Sequence, residues 1–181
     1  MTKRTMKYSK IRLAAAAFAC ILLVGFSGCR RLRQPAVNRP AGTSSGWALD
    51  DGQHATVANY KGKVLLLDFY ATWCDPCRRE TPSLVALHQK YAAQGLEVIG
   101  LNVGGEDDYE QVPAFKQEFG IQFPLAVPDD DFVDQFLGVN LNIPQTFVID
   151  RQGSVVKHFV GYGEGRAAEV ERAVQAALQT Q

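Results

Sequence analysis

The hydrophobic pattern changes between strand-like and helix-like periods along residues 47–181. Val64–Tyr70 is a nearly continuous apolar run of strand length, which is typical of a central strand covered on both faces. A helical pattern follows, with Leu84, Leu87 and Tyr91 on one face, and Leu96–Asn102 is a second strand candidate. This order predicts a β-α-β unit whose two strands are parallel.

The pattern also predicts the remaining elements of one folded domain. We expect helices at 109–119, at 133–137 as a single turn and at 165–181, and strands at 123–127, 145–150 and 154–160. The last two strands should form an antiparallel hairpin because only a short turn separates them. Residues 47–58 add a second hairpin with Asp51 and Gly52 in its turn. The predicted fold class is an α/β sandwich, with a mixed central sheet between helical layers.

The first 28 residues have the composition of a secretory signal peptide. A basic segment from Lys3 to Arg12 precedes an apolar segment, 13–26, that is shorter than the roughly 20 residues of a comfortable membrane span. The sequence Phe-Ser-Gly-Cys at 26–29 resembles a bacterial lipobox, which would make Cys29 the lipidated first residue of the mature chain. An uncleaved signal anchor is the alternative. Both interpretations predict an extracytoplasmic protein attached to a membrane.

Residues 29–46 predict a flexible linker, because Pro, Gly, Ser and Thr are frequent there and large apolar residues are few. The folded domain is then 47–181. Nine basic and no acidic residues precede it, whereas the domain holds 10 basic and 19 acidic residues, a net charge of −9. An acidic domain of this kind excludes nucleic acid as a partner on electrostatic grounds.

Candidate chemistry is concentrated at two cysteines that follow the first predicted strand. Cys20 would leave with the signal peptide and Cys29 would carry lipid, so Cys74 and Cys77 remain as the thiol pair. Unpaired N–H groups at a helix N-terminus favour a thiolate on Cys74, and the thiolate is the species that attacks disulfides. Cys77, one turn further on, would resolve the mixed disulfide.

Other uses of a Cys-x-x-Cys sequence fit this chain less well. A zinc site usually needs four ligands, and His54, His88 and His158 show no ligand spacing, so no metal or other cofactor is expected. Arg78 stands where a haem-attachment sequence requires histidine. A purely structural disulfide stays open in an exported protein.

The stretch 73–82, Trp-Cys-Asp-Pro-Cys-Arg-Arg-Glu-Thr-Pro, resembles the active site of the thioredoxin superfamily, and most closely the membrane-anchored TlpA/ResA type. The stretch 143–150, Ile-Pro-Gln-Thr-Phe-Val-Ile-Asp, resembles the second signature of that family. The resemblance covers residues 47–181. It implies a thioredoxin-like three-layer α/β/α sandwich and thiol–disulfide exchange.

The resemblance also implies roles for five further residues. Pro144 matches a cis-proline that faces the cysteines, and the backbone of Ile143 would pair with a substrate chain beside Trp73. Asp68 matches a buried acid that assists proton transfer, and Glu80 matches an acid near the cysteines. By residue type alone, an ordinary turn proline is the preferred interpretation of Pro144, because few X–Pro bonds are cis, and Glu80 could equally be a solvated acid at a helix start. The division of labour between Asp68 and Glu80 stays open.

The expected function is reduction of disulfides in exported thiol proteins. For this family the common substrates include apocytochrome c, and a transmembrane electron donor would restore the dithiol. Two alternatives use the same sulfurs: a thiol peroxidase, and a binding module for copper or for thiol proteins.

Overall fold

The computed structural model describes residues 45–180. The predicted signal peptide, Cys29 and most of the predicted linker lie outside these residues. Ser45 and Gly46, at the end of that linker, contact the domain: the N–H of Gly46 donates to Oδ2 of Asp129 over 3.0 Å, and the Ser45 hydroxyl donates to Gln135 over 3.0 Å. Within residues 45–180, no helix has both the length and the apolar character needed to cross a bilayer.

Seven strands form a mixed sheet in the described chain. The strands are β1 (Trp47–Ala48), β2 (His54–Ala55), β3 (Val64–Tyr70), β4 (Leu96–Asn102), β5 (Leu125–Pro128), β6 (Gln145–Ile149) and β7 (Val155–Val160). Their spatial order is β2-β1-β5-β4-β3-β6-β7. β3 is parallel to β4 and β4 to β5, whereas β6 is antiparallel to both β3 and β7. The parallel β-α-β unit and the terminal hairpin are therefore confirmed.

Helices cover both faces of this sheet. They are α1 (Asp75–Tyr91), α2 (Glu106–Tyr109), α3 (Val112–Phe119), α4 (Asp130–Leu137) and α5 (Arg166–Gln179), with short 3₁₀ segments at Val57–Tyr60 and Ala92–Gln94. Successive side chains of a strand point to opposite faces. Leu66 and Tyr70 of β3 accordingly pack with α1, α3 and α5, whereas Leu65 and Leu67 pack with Phe132 of α4. The predicted three-layer α/β/α sandwich is confirmed.

Two predicted elements differ from the structure in their bounds. Residues 109–119 are not one helix, because α2 ends at Tyr109 and α3 begins at Val112. The cause is Pro113, whose ring would collide with the carbonyl of Tyr109 in a continuous helix and which lacks the N–H to bond it. The single turn predicted at 133–137 is the longer helix α4, which starts at Asp130 where acidic side chains favour a helix N-terminus.

Candidate active site at the start of helix α1

Cys74 and Cys77 are joined by a disulfide between the end of β3 and the first turn of α1, and their Cα atoms are 5.3 Å apart. Cys74 is the N-cap residue of α1, with an extended backbone, and its Sγ accepts a hydrogen bond from the N–H of Cys77 over 3.2 Å. Pro76 lies in the first turn, where a helix needs no N–H donor. The attacking sulfur therefore sits where backbone donors and the helix dipole stabilise negative charge.

Both cysteines are buried in this oxidised state. The exposed fraction is 5% for Cys74 and 1% for Cys77, so the predicted shielding of Cys77 extends to its partner. The peptide bond between Ile143 and Pro144 is cis, as the resemblance implies, and the carbonyl oxygen of Ile143 lies 3.8 Å from Sγ of Cys74. Trp73, next to Cys74, is 65% exposed.

An apolar loop that the sequence reasoning did not single out precedes Pro144. Val139 is fully exposed and Leu141 is 65% exposed. Isolated apolar residues on a surface are normal, but these two immediately precede Ile143, whose carbonyl contacts the disulfide. The sequence signal that could have identified them is their position among Gly and Asn residues, which favour an exposed loop, directly before the proline matched to the cis-proline.

The buried side chain of Gln145 is hydrogen-bonded to the backbone of this loop. Its Nε2 donates to the carbonyl oxygens of Asn140 over 2.6 Å and Asn142 over 2.9 Å. These two bonds use both amide hydrogens, so the oxygen Oε1 is the atom that lies 2.8 Å from Nε2 of His158. Because an amide oxygen only accepts, Nε2 is the ring nitrogen that carries the hydrogen. The His158 ring stacks on Phe147 with centroids 4.0 Å apart. The loop beside the disulfide is therefore anchored to the sheet.

Two buried carboxyl groups, those of Asp68 and Glu80, share the α1 face of the sheet with the cysteine pair. Asp68 belongs to the same face of β3 as Leu66 and Tyr70, which pack in the cluster that contains both cysteines. Glu80 follows Cys77 by three residues, a spacing that places both on one side of α1. Thr146 of β6 joins the acids: its hydroxyl donates to Oε1 of Glu80 over 2.9 Å and lies 3.5 Å from Oδ1 of Asp68.

Burial controls the protonation of these acids. Burial raises the pKa of Asp68 well above its ordinary value, and the charge of Glu80 raises it further, while the Thr146 hydroxyl acts in the opposite direction. Burial also raises the pKa of Glu80 to about 7, although the Thr146 hydrogen bond and the positive charge of Arg166 oppose this. Glu80 is 1% exposed, so the interpretation of it as a solvated acid is wrong.

The arrangement can keep a proton near Cys77 at neutral pH. One hydroxyl carries one hydrogen, so Thr146 cannot donate to both carboxyl groups at once. Oε2 of Glu80 has no hydrogen-bond partner among the described residues, which further disfavours a charged pair. Residues 45–180 contain no cluster of three or more His, Cys, Asp or Glu side chains arranged to hold a metal ion.

With this geometry established, comparison with known proteins identifies the family. A model described as the AhpC/TSA family matches residues 39–158. The chain belongs to this family. Among solved structures, the thioredoxin family thiol:disulfide interchange protein from Chlorobium tepidum has a TM-score of 0.62 and 30% sequence identity, over 76% of this chain and 99% of that one. The thioredoxin-like resemblance and fold are thereby confirmed.

Two curated relatives of this AhpC/TSA family member have related names. The thiol-disulfide oxidoreductase ResA of Geobacillus thermodenitrificans is 37% identical over 111 residues, which are 61% of this chain and 62% of ResA. The chain thus matches less than two thirds of the length of that relative. The thioredoxin-like protein YneN of Bacillus subtilis is 31% identical over 154 residues, 81% of this chain and 88% of YneN.

Proposed function

We propose that this protein is an extracytoplasmic thiol–disulfide oxidoreductase that reduces disulfides in exported proteins. The observation that carries the proposal is the Cys74–Cys77 disulfide at the N-terminus of α1, the helix that also carries the buried acid Glu80. The similarity to ResA and to a thiol:disulfide interchange protein supports the same reaction.

The reaction starts from the reduced pair and moves two electrons to the substrate. The Cys74 thiolate attacks one sulfur of a substrate disulfide, so that a mixed disulfide forms and the other substrate sulfur leaves as a thiolate that takes up a proton. Cys77, once deprotonated, attacks Sγ of Cys74. The mixed disulfide breaks, the second substrate thiol is released, and the Cys74–Cys77 disulfide forms.

The acid pair handles the proton of Cys77. A carboxylate of the pair accepts this proton as the Cys77 sulfur attacks, and the neutral acid can return it when the pair is reduced again. An acid whose pKa is close to the working pH is suited to both directions. Glu80, with a pKa raised to about 7, meets that condition.

The charges around the pair favour the reducing direction. Asp75 stands between the two cysteines in the first turn of α1. Its negative charge disfavours a thiolate on the neighbouring Cys74 and therefore disfavours the reduced form, which makes the dithiol the better electron donor; stabilisation of the reduced form has the opposite effect in strong oxidants.

Substrate binds, in this proposal, across the apolar surface formed by Trp73, Val139 and Leu141. All three side chains are exposed and lie in the segments on either side of the disulfide. The backbone of Ile143 offers hydrogen bonds to an extended chain, which is how strand addition holds peptides. This surface suits unfolded cysteine-containing segments, among which apocytochrome c is a candidate.

Attachment to the outer face of a membrane completes the proposal. The support is the signal-like composition of residues 1–28 and the position of Cys29. A transmembrane dithiol donor would then re-reduce the Cys74–Cys77 pair. Incorporation of labelled palmitate into the wild type, and its loss in Cys29→Ala, tests the lipid attachment. Wild-type protein that stays unlabelled but sediments with membranes would favour a signal anchor instead.

The activity itself is tested by reduction of a peptide disulfide and by the reduction potential of the pair. We expect activity in the wild type and in Cys29→Ala, none in Cys74→Ala, and an accumulated mixed disulfide in Cys77→Ala. A potential of about −270 mV or lower supports a reductant, whereas one of about −120 mV would make the protein an oxidant. Turnover of hydrogen peroxide, or tight copper(I) binding, without disulfide reduction would favour the alternative functions.

A further inference from the structure

Thr72 stands two residues before Cys74, in the loop that connects β3 to α1, and its buried side chain is hydrogen-bonded to a carboxylate distant in sequence. Its backbone N–H donates to Oδ2 of Asp108 over 3.0 Å, and its hydroxyl donates to Oδ1 of the same residue. Both residues are buried. Asp108 thus holds the segment that leads into the active site, although 36 residues separate the two in sequence.

Asp108 is itself held by the end of strand β4. Nδ2 of Asn102 donates to Oδ2 of Asp108 over 2.7 Å, and Oδ1 of Asn102 accepts from the N–H of Gly104 over 2.8 Å. Three donors therefore converge on one buried carboxylate, which is the condition for keeping such a group in the interior. A side chain at position 104 would interfere, because a Cβ atom there would lie 2.3 Å from Oδ2 of Asp108.

The opposite side of Thr72 is bound to helix α1. Nη1 of Arg78 donates to the carbonyl oxygen of Thr72 over 3.0 Å. Nη2 of Arg78 donates to Glu118, and its guanidinium lies over the ring of Phe119, 5.2 Å from the centroid. Thr72 is thus held at its N–H, its hydroxyl and its carbonyl by groups that are fixed elsewhere.

We propose that Asp108 is a positioning residue for the redox reaction, which acts through Thr72 to keep Cys74 at the N-cap of α1. The proposal rests on the proposed function. The cap requires the extended backbone of Cys74, with φ −81° and ψ 105°, because only then does its sulfur receive the Cys77 N–H. Loosening residues 71–73 would let the sulfur leave the donors that stabilise its thiolate.

A positioning role and a purely electrostatic role of Asp108 predict different changes in the stability of the Cys74 thiolate when Asp108 or Thr72 is replaced. If Asp108 acted only through its negative charge, Asp108→Asn would stabilise the nearby thiolate and Thr72→Val would leave it unchanged. If Asp108 acts through position, both variants destabilise the thiolate. Asp108→Asn does so because the charge-assisted bonds to Thr72 and Asn102 become weaker neutral ones and the Thr72 hydroxyl must turn to accept from the amide, and Thr72→Val by removing a hydroxyl while the charge stays.

The test is the rate of alkylation of Cys74 by iodoacetamide in the reduced full-length chain, measured against pH and located by peptide mass spectrometry. Mapping is needed to separate Cys74 from Cys77, and from Cys20 and Cys29 in any chain that retains them as free thiols. We expect Asp108→Asn, Thr72→Val and Gly104→Ala to slow alkylation near pH 6 by about two- to fivefold, the range of a helix-terminus interaction. Thr72→Ser keeps the hydroxyl and should restore the wild-type rate, and Asp107→Asn, an exposed neighbour, should not change it.

Faster alkylation in Asp108→Asn with no change in Thr72→Val would overturn the proposal in favour of a charge effect. Unchanged rates in all three variants would overturn it outright. Thermal unfolding of each variant is followed in parallel to show that it folds. If Asp108→Asn does not fold, Thr72→Val and Gly104→Ala, which keep the carboxylate, provide the result. Disulfide reduction by the wild type is measured separately and tests the proposed function. Failure of the proposed function can therefore be distinguished from failure of the positioning role of Asp108.

Discussion

Replacement of Glu80 by glutamine should remove much of the pH dependence of the stability of the oxidised protein. Glu80 is buried, and its pKa is raised from 4.5 to about 7, mainly by burial. Between these values the folded protein holds a proton that the unfolded chain releases. The contribution of Glu80 to the free energy of unfolding therefore falls as pH rises from about 4.5 to about 7, and is fully present below 4.5 where this side chain is protonated in both states.

The size of the effect follows from the shift in pKa. A change from 4.5 to about 7 corresponds to roughly 3 kcal/mol of stability lost once Glu80 is charged in both states. Asp68 contributes in the same direction, because its pKa is also raised. Glu80→Gln removes the Glu80 contribution and also the part of the Asp68 shift that the Glu80 charge causes.

The assay is urea unfolding of the oxidised wild type, Glu80→Gln and Glu110→Gln at pH 5 and pH 8. Glu110 is an exposed acid and serves as the matched control. We expect Glu80→Gln to differ little from the wild type at pH 5 and to be more stable at pH 8 by up to roughly 3 kcal/mol. Equal changes with pH in the wild type and Glu80→Gln would refute the assignment of a buried, neutral Glu80.

Three further predictions concern the loop before Pro144 and the apolar packing around Phe132 of α4. Gln145→Leu should cost about 1–3 kcal/mol in urea unfolding, because it removes the hydrogen bonds from a buried side chain to Asn140, Asn142 and His158, and should lower disulfide reduction in the folded protein; unchanged stability would contradict the network. Leu141→Ser should leave stability within about 0.5 kcal/mol but raise KM for a peptide disulfide; an unchanged KM would exclude the loop from binding. Phe132→Ala should cost about 3–5 kcal/mol in urea unfolding, because Phe132 packs against Trp47 at 5.2 Å between centroids; a loss below about 1 kcal/mol would contradict that packing.

The strands and the cysteine pair were predictable because their signals are local. The apolar run of β3 and the two cysteines after it lie within one stretch of 14 residues. The unbroken apolar run identifies the strand, and the two-residue spacing identifies the cysteine pair. The acid pair was predictable only in part. An acid in an apolar strand indicates burial, but the contact that joins Asp68 to Glu80 passes through Thr146, 66 residues beyond Glu80.

Asp108 and Gln145 were not predictable for the same physical reason. Their function depends on hydrogen-bond partners that the fold supplies, and a polar residue in a loop or at a strand end has no periodic signature. Asp108 resembles its exposed acidic neighbours 106 and 107 in sequence, and only the structure distinguishes the one that turns inward to Thr72. The break between α2 and α3 was predictable in principle, because Pro113 stands inside the helical pattern.

The burial of both cysteines has a consequence for how electrons would reach the protein. With 5% of Cys74 and 1% of Cys77 exposed, the disulfide offers little surface to a thiol that collides at random. Attack on a disulfide requires a thiolate to reach one of its sulfurs, and the Ile143 carbonyl and the exposed Trp73 border the more accessible one, Cys74. We therefore expect small thiols to reduce the oxidised protein slowly, and a donor whose surface fits this border to reduce it faster.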